Sequence, residues 1–142
     1  MTDRLDGFAR ISDPLQHMRD SGSMWPSMRL PWGTDKLVIK LTGPSAQHPV
    51  SLKVGSGFDA PYLGAISAEG RLVPGRWMSS LEQASKRELW GILCDLRDDP
   101  FEALAKAGKA LGSCALCGRA LSDRTSVEIG IGPICRAKAG FA

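Results

Sequence analysis

The chain has 142 residues, of which 43% are hydrophobic and 23% are charged, and its formal net charge is +3. This composition is typical of a soluble globular domain, and no apolar run approaches the length of a membrane span. The mild positive charge permits nucleic-acid binding without favouring it. The first residues also lack the apolar core of a signal peptide. We therefore expect a cytoplasmic protein whose four cysteines are reduced or bind a metal.

The N-terminal segment, residues 1–35, is predicted to be irregular because glycines and prolines interrupt it repeatedly. Within it, a short helix is expected to begin at Asp13-Pro14, since proline suits the first helical turn. Trp25 and Trp32 lie among the later breaks. We interpret them as covering a sheet, with an aromatic binding edge as the alternative.

Antiparallel β-structure is predicted for residues 36–73. The segment 50–54 alternates strictly between apolar and polar residues, which indicates a strand with one buried face. The remaining predicted strands are 37–41, 62–66 and 71–73.

A long helix is predicted over residues 79–98. Ser79 and Glu82 match a capping-box pattern at its start. An apolar stripe at helical spacing should pack on the sheet. Its members are Leu81, Ser85, Leu89, Ile92, Leu93 and Leu96.

A second, shorter helix is predicted to follow. Asp99 is its expected N-cap, Pro100 its first residue and Gly112 its C-cap. A last short helix is expected over residues 134–139, with Pro133 setting its first turn.

Three cysteines near the C-terminus have the spacing of a metal site. Cys114 and Cys117 form a Cys-x-x-Cys turn, and Cys135 follows a Gly-Pro turn. Thiolates suit Zn²⁺, which can stabilise a module too small for its own core. A redox pair is disfavoured because no βαβ pattern surrounds the first two cysteines. We therefore predict a zinc site formed by these three residues.

The fourth ligand is not specified by the motif. Structural zinc is nearly always four-coordinate, and a helical Cys or His pair would place the missing ligand at position 138, which is Lys138. The open alternatives are Cys94, Asp123, Glu128, His17, His48 and water.

The segment 112–126, Gly-Ser-Cys-Ala-Leu-Cys-Gly-Arg-Ala-Leu-Ser-Asp-Arg-Thr-Ser, with Gly-Ile-Gly-Pro-Ile-Cys at 130–135, resembles a known family. The family comprises small zinc-binding domains of unknown function from phage, prophage and plasmid proteins. A looser likeness extends upstream, through Tyr-Leu-Gly-Ala-Ile at 62–66. The resemblance implies that the three cysteines are ligands and that Asp123 and Ser126 order the loop between them. The chain departs from the family pattern at Arg124, where proline is usual, which changes the expected turn and not the ligands.

An enzyme is the function class that the sequence supports least. Hydrolytic zinc sites usually combine His and carboxylate ligands with an open position. His17 and His48 lie far apart in the sequence, and no paired-carboxylate, Ser-His or Cys-His pattern has a readable spacing. We therefore expect a non-enzymatic protein.

Protein binding is the principal functional hypothesis. The resemblance implies an accessory protein of a phage or mobile element, acting in the host cytoplasm on a host or defence-system protein, as an anti-CRISPR-type inhibitor would. Trp25, Trp32 and Trp77 are the candidate anchors.

Nucleic-acid binding through the cysteine module is the alternative. Four cations lie in or beside the motif and would meet phosphates. They are Arg119, Arg124, Arg136 and Lys138.

The predicted fold class is α+β: an antiparallel sheet with a packed amphipathic helix and a C-terminal treble-clef-like zinc module. The predicted division is an irregular segment at 1–35, an α+β domain at 36–111 and a zinc-binding module at 112–142.

Overall fold

The computed structural model describes residues 7–43, 46–55 and 61–140. The strands are β1 (Ser27–Trp32), β2 (Asp35–Leu41), β3 (Val50–Val54), β4 (Tyr62–Ile66) and β5 (Leu72–Pro74). The helices are α1 (Asp13–Asp20), α2 (Arg76–Ser79), α3 (Gln83–Asp98), α4 (Pro100–Leu111), α5 (Arg124–Ile129) and α6 (Pro133–Ala139), and a 3₁₀ turn (Ala9–Ser12) precedes α1.

The five strands form one antiparallel sheet in the order β1-β2-β3-β4-β5. Alternate residues of neighbouring strands form cross-strand apolar pairs, such as Met28 opposite Ile39 and Ile39 opposite Leu52. These residues are fully buried. The α+β prediction is confirmed, and the strands predicted at 50–54 and 62–66 have those bounds. β2 begins two residues earlier than predicted, and β5 is shifted by one residue.

The N-terminal segment is more regular than predicted. The helix expected from Asp13 is present as α1, but the irregular stretch after it contains the edge strand β1. Pro31 is tolerated there because an edge strand has one side without ladder partners. Residues 1–6 of this segment lie outside the described residues.

The predicted capping box at Ser79 is wrong. Ser79 is the last residue of the separate helix α2, and its hydroxyl donates to the carbonyl of Arg76. α3 begins later, at Gln83, with Glu82 as N-cap. The predicted stripe is confirmed in its centre, because the buried residues of α3 are Leu89, Leu93 and Leu96.

The end caps of α4 agree with the sequence. The Asp99 carboxylate accepts hydrogen bonds from the backbone N–H groups of Phe101 and Glu102, at 3.1 and 3.2 Å. Gly112 ends the helix in the left-handed conformation, with φ of 69°. α6 also follows the prediction, whereas α5 was not predicted.

One hydrophobic core joins all parts of the described chain. It contains N-terminal residues such as Phe8, sheet residues such as Leu37 and helix residues such as Leu104. Cys114 and Cys135 of the C-terminal module belong to the same cluster. These two cysteines are therefore built into the core of the protein. No helix within the described ranges has the length and apolar character needed to cross a membrane.

Candidate metal centre

The first two cysteines lie on a tight hairpin turn that we call the knuckle, residues 113–120. The backbone N–H of Cys114 donates to the Arg119 carbonyl, and the N–H of Gly118 donates to the Cys114 carbonyl, both at 2.8 Å. Gly118 has a φ of 80°, a conformation that costs little only for glycine. The turn thereby brings Cys117 back toward Cys114.

The knuckle is anchored to the edge of the sheet. The backbone N–H of Arg29 in β1 donates to the carbonyl of Ala115 at 2.7 Å. The Arg29 guanidinium donates to the carbonyl of Leu116 at 2.8 Å. Ala115 and Leu116 are themselves buried. The sheet therefore fixes the position of the two residues between Cys114 and Cys117.

The third cysteine is delivered by α6. Gly132 is the N-cap and Pro133 the first residue, so Cys135 lies in the first turn. The next residue, Arg136, donates from its guanidinium to the carbonyl of Ile131 at 2.9 Å and to the hydroxyl of Ser126 at 3.3 Å. These bonds tie α6 to the preceding turn and to α5.

Two glycines allow the α5–α6 turn to cross α4 at backbone distance. A Cβ on Gly108 would lie 1.6 Å from the Gly130 carbonyl oxygen, and a Cβ on Gly130 would lie 2.2 Å from the Ala105 carbonyl oxygen. Gly130 also has a φ of 86°. This contact fixes the position of α6, and hence of Cys135, relative to the knuckle.

Together these elements gather the three sulfurs. The Sγ atoms of Cys114, Cys117 and Cys135 all lie within 4.8 Å of one another. Cys114 and Cys135 are buried, and Cys117 is exposed. The spacing suits ligands that surround one ion, so the cluster can hold a metal.

The pKa values of the two buried thiols, Cys114 and Cys135, also favour a bound cation. A hydrogen bond from the Cys135 thiol, helped by the backbone N–H groups of Gly132, Cys117 and Leu116, lowers the pKa of Cys114 to about 4 against the effect of burial. The same hydrogen bond, burial and the negative charges of Cys114 and Cys117 raise the pKa of Cys135 far above its ordinary value. A second buried thiolate therefore needs a compensating positive charge, which a bound metal supplies.

The fourth-ligand candidates lie in different places. Among the described residues, no fourth Cys, His, Asp or Glu joins the cluster of three sulfurs. Cys94 belongs to α3, and the His17 ring packs near Phe101, with 6.4 Å between ring centroids. His48 lies in the segment between β2 and β3.

The two acidic candidates have other interactions. Glu128 bonds to the Arg124 guanidinium at 3.2 Å. The Asp123 carboxylate caps α5 by accepting from the N–H of Ser126 at 2.9 Å. The loop-ordering role expected for Asp123 and Ser126 is confirmed, in the form of a helix cap. Asp123 also lines the cavity beside the cysteines.

The four cations predicted to bind a partner have two kinds of environment. Arg124 is paired with Glu128, and Arg136 holds the turn before α6. Arg119 and Lys138 instead line the cavity beside the cysteines. The sequence alone does not distinguish these four residues. Their tertiary contacts show that two are engaged by the protein itself and two face the cavity.

The predicted tryptophan anchors also differ. Trp25 and Trp77 are 72% and 56% exposed, respectively. Trp32 is buried, and its indole N–H donates to the carbonyl of Ser85 at 3.2 Å. The alternative of an exposed anchor is therefore wrong for Trp32, because β1 turns it toward α3, and its burial agrees with the favoured interpretation. Trp25 contradicts that favoured interpretation, because its side chain is exposed and does not cover the sheet.

Comparison with known proteins gives a match over the cysteine module. A model described as a family of unknown function (DUF6011) matches residues 105–140. This stretch includes all three clustered cysteines. No curated protein and no solved structure matches the chain. The match therefore associates the cysteine module with a family and not with an activity.

Sequence reasoning missed two residues that shape the site. Arg29, which anchors the knuckle, lay in a stretch predicted to be irregular. Gly130 was included in a motif, but its contact with α4 was not foreseen. A glycine two residues from another turn glycine is a signal for a close backbone approach, but it does not identify the packing partner.

Proposed function

We propose that the protein is a zinc-binding, non-enzymatic accessory protein that acts by binding another protein. The observation that carries the proposal is the cluster of three cysteine Sγ atoms within 4.8 Å of one another. Zinc fits this donor set best, because soft thiolates select it and its structural sites are commonly built from three or four cysteines.

The donor set favours a structural metal over a catalytic one. Three thiolates donate charge to the metal and make it a poor Lewis acid. No His or carboxylate of the described residues joins the sulfurs as a general base. The carboxylate of Asp123, the acidic residue that lines the adjoining cavity, is held as a helix cap.

A protein of a host or its defence systems is the partner we propose, with the chain serving as an accessory protein of a phage or mobile element. The family resemblance supports this setting, and an anti-CRISPR-type inhibitor is one example of such a role. The exposed side chains of Trp25 and Trp77 support protein binding, because exposed tryptophans are typical interface anchors.

Nucleic-acid binding is the second candidate function. Arg119 and Lys138 support it, since their side chains have no ionic or hydrogen-bond partner within the described ranges. A salt titration of binding separates the candidates, because phosphate contacts weaken steeply with salt. Nuclease treatment of the binding mixture abolishes capture only in the nucleic-acid case.

The zinc site is tested by elemental analysis of protein purified without added metal. We expect about one zinc per chain, as for a single structural site. Cys117→Ser should lose zinc and lower the melting temperature. Cys94→Ser is the matched control, because Cys94 lies outside the sulfur cluster. A metal-free parent that stays folded, with a Cys117→Ser variant equally stable, would contradict the proposal.

A further inference from the structure

We propose that the cavity beside the three cysteines is a docking site for an acidic side chain of a protein partner, with Arg119 and Lys138 as its anchors. The inference rests on the proposed function, because a bound zinc would hold the knuckle and α6 in the arrangement that forms this cavity. It adds the location of the interface and the chemistry of the partner.

The cavity lies where the C-terminal module meets the turn after α1. Its volume is about 470 Å³, and all three clustered cysteines contribute to its lining. The knuckle supplies Arg119, α6 supplies Ile134 and Lys138, and the α1–β1 turn supplies Ser23. Residues remote in sequence therefore converge on a space large enough for a side chain.

Two cations of the lining favour an anion, provided that a bound metal offsets the thiolate charges of the cysteines in the same lining. Within the described part of the chain, the side chains of Arg119 and Lys138 form no ion pair or hydrogen bond, although the backbone carbonyl of Lys138 accepts from the Ser21 hydroxyl. Asp123 also lines the cavity, but its carboxylate already accepts the N–H of Ser126. An arginine guanidinium matches a carboxylate in a planar, bidentate geometry, and the ammonium of Lys138 adds a second charge. A partner's Asp or Glu would therefore complement this lining.

The surroundings favour a protein over a nucleic acid. Ile134, on the cavity wall, is 63% exposed. Ser23 also lines a neighbouring hollow with Met24 and Trp25, which are 76% and 72% exposed. Aromatic and apolar groups next to a few cations are typical of protein hot spots. Nucleic-acid interfaces are much more positively charged than a chain of net charge +3 suggests.

The test uses short random peptides displayed for selection on the zinc-loaded protein. We expect the selected peptides to be enriched in Asp or Glu next to an apolar residue. The binding of one selected peptide is then measured by fluorescence anisotropy. Arg119→Glu and Lys138→Glu should each weaken it by about tenfold or more, as expected for loss of a charge-assisted contact. Trp25→Ala should weaken it several-fold.

Matched controls separate this site from general charge and exposed aromatics. Arg124→Glu makes the same charge change at a residue paired with Glu128, and Tyr62→Ala removes an exposed aromatic side chain that does not line the cavity. Both should bind the peptide within about twofold of the parent. Each variant is checked for zinc content and for its circular dichroism spectrum. Arg119→Gln and Lys138→Gln replace any charge-reversed variant that fails to fold.

Several results would overturn the inference. The first is a set of selected peptides without enrichment in Asp or Glu. The second is a loss of peptide affinity in Arg124→Glu as large as in Arg119→Glu and Lys138→Glu. The third is a single-stranded DNA oligomer that binds through Arg119 and Lys138 more tightly than the peptide does. A parent that binds zinc but selects no acidic peptide defeats this inference alone. A parent that binds no zinc defeats the proposed function, whichever peptides it selects.

Discussion

At the scale of single residues, Arg29 and Asp123 show how the sulfur cluster is supported from outside. Arg29 holds the knuckle by one backbone and one side-chain hydrogen bond. Asp123 starts α5, whose Ser126 hydroxyl in turn accepts from Arg136 beside Cys135. Such supporting hydrogen bonds orient metal ligands without contacting the metal.

Replacing the cap residue Asp123 should lower stability without releasing the metal. Hydrogen bonds from the side chain and backbone N–H of Ser126 lower the pKa of Asp123. The pKa of Asp123 is thus lower in the folded state than in the unfolded state. The charged cap therefore stabilises the fold at pH values above the unfolded-state pKa. This stabilisation is lost as the pH falls through the folded-state pKa. We therefore expect Asp123→Ala to melt at a lower temperature than the parent at neutral pH.

Asp123→Asn is the control, because asparagine is also a good N-cap and should restore most of the melting temperature. Zinc content, measured by elemental analysis, should be unchanged in both variants. A loss of zinc in Asp123→Asn would instead identify the carboxylate as the fourth ligand.

At the scale of elements, the contact between α4 and the α5–α6 turn requires that no side chain lie between the two backbone segments. A helix and a turn pack this closely only where glycine occupies both faces of the contact, and here these are Gly108 and Gly130. The contact places Cys135 near the knuckle, so metal binding and helix packing are coupled.

Two alanine substitutions in helices should have opposite effects on stability. Gly108→Ala should destabilise the fold by roughly 1–3 kcal/mol or more, because the new methyl group would overlap the Gly130 carbonyl. Gly91→Ala in α3 should stabilise it by about 0.5–1 kcal/mol, since no described atom beyond the chain neighbours and the adjacent helix backbone lies within 4 Å of the new Cβ. Urea unfolding measures both free energies. A Gly108→Ala variant as stable as the parent would show that the contact is not close in solution.

At the scale of the whole molecule, the sheet ends differently on its two sides. β1 is covered by the knuckle through the Arg29–Ala115 hydrogen bond. β5 has three residues and ends at Pro74, which offers no N–H. Short strands and prolines protect an edge against pairing with other chains. The cysteine module thus completes the sheet as well as the core.

Metal removal should therefore loosen more than the cysteine module. On addition of a chelator, we expect faster amide hydrogen exchange at Gly118 and Arg136, and also at Arg29, whose N–H donates to Ala115. Leu52 in the centre of the sheet should stay protected. Exchange followed by NMR distinguishes these positions. Unchanged protection at Arg29, with rapid exchange at Gly118, would show that the module opens independently of the sheet.

The sequence by itself determined the features that depend on local backbone preference and periodicity. The alternation in β3, the Asp99 cap, the Gly112 helix end and the stripe through Leu93 are of this kind, and the structure confirms them. The grouping of the three cysteines also followed from spacing, because a Cys-x-x-Cys turn and a Gly-Pro helix start each have few accessible conformations.

Only the tertiary structure decided which chemically similar residues share a role. Trp32 is buried while Trp25 is exposed, because β1 forms a strand whose alternate side chains face the core. Arg124 is engaged by Glu128 while Arg119 lines the cavity. These differences depend on contacts between segments distant in sequence, and such contacts form only when the whole core assembles. Local patterns do not encode them.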